Sequence, residues 1–182
     1  MKKIVTVALL LYAVWMPGQA VAQLAACSIE ASINNQDSTM TTDPNGTNVR
    51  SGPGTDFKVT KTLHDSKGLR FTIDGSQGSW VRIHGYNSAS ESGRGDSSLI
   101  GWVYAPSLFL RMGSEGDNPD AVIYSLFLLP NSKSRKLANG KYNEVVALLG
   151  CKGRWAKVSN GSASGWLSPG TQCSDLWGGC DR

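Results

Sequence analysis

The sequence FTIDGSQGSW at residues 71–80 is matched without a gap by VALLGCKGRW at residues 146–155, with both glycines and the tryptophan in register. A run of apolar residues that ends in Gly-x-x-Gly and returns through Trp predicts a β-hairpin, because glycine adopts the positive φ of a tight turn at little cost. Each copy is followed by a Gly-Trp pair, Gly101-Trp102 and Gly165-Trp166. The repetition indicates an internal duplication of a small β-rich unit.

The rest of the chain after Ala26 extends this all-β pattern, since short apolar or β-branched runs alternate with Gly, Asn, Asp and Ser turns. The strands predicted for the first unit are Val59–Leu63, Leu69–Asp74, Trp80–His84, Gly101–Tyr104 and Phe109–Met112. Those predicted for the second unit are Val122–Leu129, Glu144–Leu149, Trp155–Ser159 and Gly165–Leu167. Residues 113–120 contain no apolar side chain and are predicted to link a first unit, residues 23–112, to a second, residues 121–182.

The segment NVRSGPGTDF at residues 48–57, followed by the hairpin and Gly101-Trp102, resembles the bacterial SH3 (SH3b) domain. The resemblance implies two small, open SH3-like β-barrels in tandem. The second unit has Leu129–Ser132 in place of the Asn-Val-Arg-Ser-Gly-Pro string and is similar to divergent SH3-like repeats of exported bacterial proteins. Small barrels bury little apolar surface, so disulfides would help to stabilise them.

Residues 1–22 have the pattern of a cleaved secretory signal peptide: two lysines and an apolar run, Ile4–Met16, that is too short to span a membrane. Two processing sites compete. Ala20–Ala22 suits ordinary signal peptidase, whereas Leu24–Cys27 resembles a lipoprotein box. Gln19 and Gln23 interrupt the apolar approach to that box. Free secretion to the periplasm or the exterior is therefore favoured over a lipoprotein anchored through Cys27.

Cleavage after Ala22 leaves an even set of cysteines in an oxidising compartment, which predicts two disulfides with three possible pairings. The four are Cys27, Cys151, Cys173 and Cys180. Cleavage before Cys27 would lipidate that residue and leave an odd thiol. The cysteines lack the spacing of a zinc site, and the sequence has only two histidines, His64 and His84, so no metal or other cofactor is predicted.

Charge and composition exclude several classes of function. Eighteen basic and fourteen acidic residues in 182 give a formal charge of +4, too small and too scattered to predict nucleic-acid binding. No constellation of nucleophile and base is evident: His64 lies in a turn, His84 at a strand end, and exported cysteines form disulfides. The chain is predicted not to be an enzyme.

A binding function requires exposed aromatic area together with fixed polar groups. By resemblance, the loop at residues 48–57, the hairpin and the Gly-Trp segment flank a shallow groove, with a corresponding groove in the second unit. The candidate ligand-binding residues are Arg50, Phe57, Trp80, Trp102 and Tyr104, and in the second unit Tyr142, Trp155 and Trp166. Two other roles stay open: Trp80 as a core residue, and Arg50 as a brace of its own loop.

These features predict a non-catalytic exported module that binds peptidoglycan or another envelope component through aromatic grooves. The alternative is a regulatory scaffold that docks on an envelope enzyme. Membrane association is expected only with lipidation at Cys27.

A basic run, Lys133–Lys136 with Lys141, is interpreted as a solvated loop or as a contact for an anionic wall polymer or lipid headgroup.

Overall fold

The computed structural model describes residues 23–33, 46–64, 69–88, 95–112, 122–141 and 144–173. Strands dominate these ranges, and their one helical element is a single 3-10 turn at Ala105–Ser107. In the described part of the chain, no helix has the length and apolar character needed to cross a bilayer. The predicted signal peptide, the linker, Tyr142 and Cys180 lie outside the described residues.

The strands before the predicted linker are β1 (Ala25–Ile33), β2 (Thr47–Arg50), β3 (Val59–Leu63), β4 (Leu69–Gln77), β5 (Trp80–Ser88), β6 (Gly95–Tyr104) and β7 (Phe109–Met112). Those after it are β8 (Val122–Phe127), β9 (Lys136–Lys141), β10 (Val145–Lys152), β11 (Trp155–Ser159), β12 (Ser164–Leu167) and β13 (Gln172–Cys173). The all-β prediction is confirmed.

Three predicted strands, β3, β7 and β11, have the predicted bounds, and β4, β5, β6 and β12 are longer than predicted. Strand β10 begins one residue later than predicted and ends three residues further along the chain. The strand predicted to reach Leu129 ends at Phe127, because the chain turns toward Pro130 and the Leu129 amide bonds the Ser134 hydroxyl. The basic run is only partly a loop, since Lys136 and Lys141 are the ends of β9. Strands β1, β2, β9 and β13 were not predicted.

Strand β1 joins the two halves of the chain. The hydrogen-bonded strand order is β3-β2-β6-β5-β4-β1-β7-β10-β11-β12-β8-β9, with β13 paired to β7, and every neighbouring pair is antiparallel. Ile29–Ile33 pairs with β4, and Ser32 also pairs with Phe109 of β7. The two units are therefore parts of one continuous hydrogen-bonded path.

The beginning of β1 is fastened to the second hairpin. Cys27 forms a disulfide with Cys151 of β10. Beside it, the Ser28 amide donates to the Gly153 carbonyl at 2.8 Å, and the Gly153 amide donates to the Ala26 carbonyl at 2.7 Å. A covalent bond and two backbone hydrogen bonds thus hold this strand against the turn of the β10–β11 hairpin.

A single cluster of buried side chains runs through both halves. The first half contributes fully buried Phe71, Ile73 and Ile83, and β1 adds Ile29, Ala31 and Ile33 on alternate positions. From the second half come Leu126, Leu148, Val158 and Leu167. Because β1 presents its apolar face to this cluster, it couples the halves through packing as well as through hydrogen bonds.

The two Gly-x-x-Gly-x-Trp hairpins have the same geometry. The register shifts between Ile73 and Gly75 in β4 and between Leu148 and Gly150 in β10, so each hairpin carries a β-bulge at its first glycine. The second glycine has φ +58° in one hairpin and +55° in the other. Both hairpins thus share a bulge and a turn glycine in the left-handed region.

The glycine of each Gly-Trp pair lies against a neighbouring strand. A Cβ added to Gly101 would stand 2.3 Å from Val49 Cγ1, and one added to Gly165 would stand 2.9 Å from Leu126 Cβ. Each would also meet a carbonyl oxygen at 3.0 Å, that of Arg50 or of Phe127. The close approach of the two strands requires glycine at both positions.

We therefore predict that Gly101→Ala and Gly165→Ala each lower the free energy of unfolding by about 1–3 kcal/mol, because the added methyl forces the strands apart. Chemical denaturation measures the effect. Ile100→Ala and Ser164→Ala, at exposed neighbouring positions, are matched controls and should change stability by less than about 1 kcal/mol. Wild-type stability for either glycine variant would contradict the predicted close packing.

Removing the Cys27–Cys151 disulfide should destabilise the protein strongly, since it closes a loop with a sequence separation of 124. We expect Cys27→Ala with Cys151→Ala to lower the free energy of unfolding by about 3–5 kcal/mol. Urea denaturation of oxidised protein, without reductant, provides the comparison. An unchanged transition midpoint and slope would mean that the disulfide is not what fastens β1.

Candidate functional site

A groove of about 620 Å³ lies at one end of the first unit. Its walls come from β2 and the loop that follows, from the turn of the β4–β5 hairpin, and from the end of β6 with the 3-10 turn. It is lined by Gly46, Thr47, Asn48, Arg50, Gly54, Thr55, Asp56, Ser79, Trp80, Tyr104 and Ser107. Three of the predicted residues, Arg50, Trp80 and Tyr104, are therefore brought together here.

Arg50 shapes the loop beside the groove, which we name the first-unit loop, residues 51–58. Its Nη1 donates to the carbonyl oxygens of Thr55 and Phe57, both at 2.8 Å. The loop is closed at its base by the Ser51 amide, which donates to the Lys58 carbonyl at 2.9 Å. The guanidinium thus serves as a brace, one of the two roles that the sequence left open for it.

The aromatic wall of the groove consists of Trp80 and Tyr104, which are directly opposite each other on β5 and β6. Their ring centroids are 5.7 Å apart with an interplanar angle of 62°. Arg50 Cζ lies 5.9 Å from the Trp80 ring centroid, within the range of a cation–π contact. Trp80 is half-buried rather than part of the core, and Tyr104 is 49% exposed. Apolar ring surface is therefore available to a ligand.

The chain on either side of the groove holds Tyr104 in place. The Ala105 amide donates to the Ser79 carbonyl at 2.9 Å and so ties the 3-10 turn to the hairpin turn. The Ser107 hydroxyl donates to the carbonyl of Tyr104 at 2.7 Å. Because the backbone of Tyr104 is fixed in this way, little conformational entropy is lost when a ligand packs on the Tyr104 ring.

Phe57 and Trp102 lie close to the groove but do not line it. The Phe57 ring is 46% exposed and covers Gly52, where an added Cβ would come within 2.2 Å of it. Trp102 is half-buried and sits between Arg50 of β2 and Arg82 of β5 in the strand register. These two predicted residues therefore lie beside the groove, whereas Arg50, Trp80 and Tyr104 line it.

Two ion pairs of the first unit lie outside the groove lining. Arg82 Nε donates to Asp74 Oδ1 at 2.7 Å, and this bond raises the pKa of the guanidinium. Hydrogen bonds from Ser98, and then from Lys61, lower the pKa of the Asp96 carboxyl. The charged side chains of the groove lining itself are one cation, Arg50, and one carboxylate, Asp56.

In the second unit, Phe127 occupies the place that Arg50 has in the first. Phe127 pairs with Trp166 as Arg50 pairs with Trp102. Its ring meets that of Trp155 edge to face, with centroids 5.8 Å apart. Trp155 and Trp166 are half-buried on this face. The cationic brace of the first unit is therefore replaced by an aromatic contact.

The residues with metal-binding or nucleophilic side chains are dispersed over the described part of the chain. They contain no group of three or more His, Cys, Asp or Glu side chains that could hold a metal ion. His64 at the end of β3 and His84 on β5 are exposed. The sulfur atoms of Cys27 and Cys151 are joined in the disulfide and are not available as nucleophiles.

Most of the polar side chains that line the groove were not predicted. Asn48, Thr55 and Asp56 belong to the string that carried the family resemblance. Ser79 directly precedes Trp80, and Ser107 lies three residues after Tyr104. Their proximity in sequence to Arg50, Trp80 and Tyr104 was the signal that could have revealed them.

Comparison with known families agrees with the placement of the groove. Residues 45–108 match the family model of the bacterial SH3 domain. The matched segment begins just before β2 and ends after the 3-10 turn, so it contains every residue that lines the groove. No curated protein matches the chain significantly. The prediction of a bacterial SH3 domain is confirmed for this segment.

The brace at Arg50 predicts a specific loss of loop stability. Arg50→Lys removes the planar guanidinium that reaches two carbonyl groups, and a lysine ammonium does not reproduce that geometry. We expect the free energy of unfolding to fall by about 1–2 kcal/mol and amide exchange in residues 51–58 to accelerate. Denaturation and hydrogen-exchange mass spectrometry are the measurements.

Arg82→Lys provides the matched control. Arg82 is also paired, with Asp74, and is not among the residues that line the groove. This variant should cost less than about 1 kcal/mol, with unchanged exchange in the first-unit loop. Equal behaviour of the two variants would show that Arg50 is not a brace.

Proposed function

We propose that this chain, whose residues 45–108 are a bacterial SH3 domain, is an exported module that binds peptidoglycan or a closely similar envelope component and catalyses no reaction. The observation that carries the proposal is the groove, in which half-exposed aromatic rings stand opposite a loop braced by Arg50. A preformed groove binds more tightly than a mobile one, because no free energy is spent on ordering its loop when the ligand binds.

The chemistry of the lining suits a ligand that is polar yet rich in C–H surface. Trp80 and Tyr104 offer ring faces on which sugar or aliphatic C–H groups can pack. The side chains of Asn48, Thr55 and Ser107 offer amide and hydroxyl groups that both donate and accept hydrogen bonds. Peptidoglycan presents sugar rings and peptide amides together, which supports the choice of this ligand.

We extend the proposal to the second unit, residues 121–182, as a divergent SH3-like repeat. The bulged hairpin, the Gly-Trp strand and the pairing of that strand recur there in the same register. With Phe127 in place of Arg50, the second unit lacks the brace that maintains the first groove. We therefore assign ligand recognition to the first unit.

Export and disulfide formation are mutually consistent in this proposal. The Cys27–Cys151 disulfide requires an oxidising compartment, and residues 1–22 supply the expected signal peptide. A lipid-modified Cys27 has its sulfur in a thioether and is unable to form this disulfide. We therefore propose cleavage after Ala22 and a protein that is not anchored through Cys27.

A protein-docking scaffold is the second candidate, favoured by one observation. Ile100, two positions before Trp102 on β6, is 60% exposed on the outer face of the sheet. Ile100, Trp102 and Tyr104 occupy alternate positions of β6 and so share one face of the sheet, and a contiguous exposed apolar surface is typical of a contact between proteins. This candidate uses the part of that face beyond the groove lining.

Cosedimentation with purified peptidoglycan sacculi distinguishes the two. Tyr104→Ala should weaken sacculus binding at least about tenfold, because a ring at the centre of a groove contributes strongly to affinity. Ile100→Ala, on the same strand, is the matched control and should bind like the wild type. Binding unaffected by Tyr104→Ala, or no sedimentation of the wild type, would contradict the proposed function, and loss in Ile100→Ala alone would favour the scaffold.

A further inference from the structure

The loop between β8 and β9 combines exposed apolar and basic side chains. We name it the second-unit loop, residues 128–135. It begins with Leu128 and Leu129, which are 48% and 54% exposed, and contains the exposed cations Lys133 and Arg135. Exposed Lys136 follows it as the first residue of β9. Two adjacent leucines so far out of the core contribute little to folding, and their exposure calls for another explanation.

The charge of this segment has one sign. Residues 122–141 contain four basic residues and no aspartate or glutamate. The Leu128 amide is bonded to the Arg135 carbonyl, so the exposed leucines and the cations of this segment belong to the same local surface. No acidic residue of the segment offsets its positive charge.

Several backbone amides of the second-unit loop are hydrogen-bonded within the loop. The Leu128 amide donates to the Arg135 carbonyl at 2.9 Å, and the Leu129 amide to Ser134 Oγ at 2.8 Å. The Asn131 amide donates to the Leu129 carbonyl at 2.7 Å, and Asn131 Oδ1 accepts from the Lys133 amide at 3.0 Å. An amide that is already hydrogen-bonded within the loop can move from water into an apolar environment without the free-energy cost of an unpaired donor.

The equivalent loop of the first unit shows that the fold does not require this chemistry. Both loops close in the same way, with Ser51 bonded to Lys58 in one and Leu128 to Arg135 in the other, each at 2.9 Å. On this alignment, Leu128 and Leu129 replace Ser51 and Gly52, and Lys133 replaces Asp56. Two loops with the same closing hydrogen bond thus carry polar side chains in the first unit, and apolar and basic side chains in the second.

We propose that the second-unit loop docks on a phospholipid bilayer that exposes anionic headgroups. Leu128 and Leu129 enter the interfacial region, while Lys133, Arg135 and Lys136 contact the headgroup phosphates. An anionic wall polymer would attract the cations equally but has no apolar layer for the leucines, so the two exposed leucines favour a bilayer. The protein would then rest on a membrane through one unit while the groove of the other faces its ligand.

The test uses the mature protein with two kinds of vesicle, one of phosphatidylcholine alone and one containing a large fraction of phosphatidylglycerol. We expect cosedimentation with the anionic vesicles only, and weaker binding as salt is added. Leu128→Ser with Leu129→Ser should reduce the partition coefficient at least about tenfold, because each buried leucine side chain favours transfer from water. Lys133→Ser with Arg135→Ser should reduce it roughly 25-fold, at about fivefold for each cation.

All four substituted side chains are exposed, so circular dichroism should show an unchanged fold. Tyr104→Ala is the cross-control: it should leave vesicle binding intact while it weakens sacculus binding, which separates this proposal from the proposed function. Absence of binding to anionic vesicles at low salt, equal binding to neutral vesicles, or wild-type binding by the leucine variant would each overturn the proposal. Suppose that the leucine variant binds vesicles like the wild type and that the lysine and arginine substitutions abolish binding to sacculi. This pair of results would identify an anionic wall polymer as the ligand of the loop instead.

Discussion

Strand β1 is the constraint on which the rest of the structure depends. Its later residues, Ile29–Ile33, complete the sheet of the first unit beside β4, while Cys27 and Ser28 are bonded to the second hairpin. Because β1 is hydrogen-bonded to both units, neither unit has an unpaired strand edge at this position. It also makes the disulfide a link between the halves rather than a staple within one of them.

Under the proposed function, this arrangement separates the residues that support the fold from those that recognise the ligand. The bulged hairpins and the Gly-Trp strands recur in both halves and build the frame, as the close approach at Gly101 and Gly165 illustrates. The loops that follow β2 and β8 differ in chemistry although they close in the same way. Arg50 braces one loop beside an aromatic groove, and the other carries leucines and cations. The same hairpin frame with loops of different chemistry thus gives the chain two chemically different surfaces.

Local features of the sequence were sufficient to predict much of this fold. The glycines and Trp80 of the first hairpin act within a few residues of one another, so their pattern predicted the hairpin directly. Strand β1 was missed although Ile29, Ala31 and Ile33 alternate, since its partners lie far along the chain and Cys27 is 124 residues from Cys151. The groove was found through its aromatics, whereas the position of Phe57 outside it depends on its packing over Gly52.

The role of β1 is tested most directly by mapping the disulfides and the mature terminus of the protein recovered from its native envelope. Proteolysis without reduction, followed by mass spectrometry, provides both. A chain that begins at Gln23, with the peptide containing Cys27 crosslinked to the peptide containing Cys151, is the predicted result. A lipid on Cys27, or a crosslink from Cys27 to Cys173 or Cys180, would contradict it, because β1 would then not be fastened to the second hairpin.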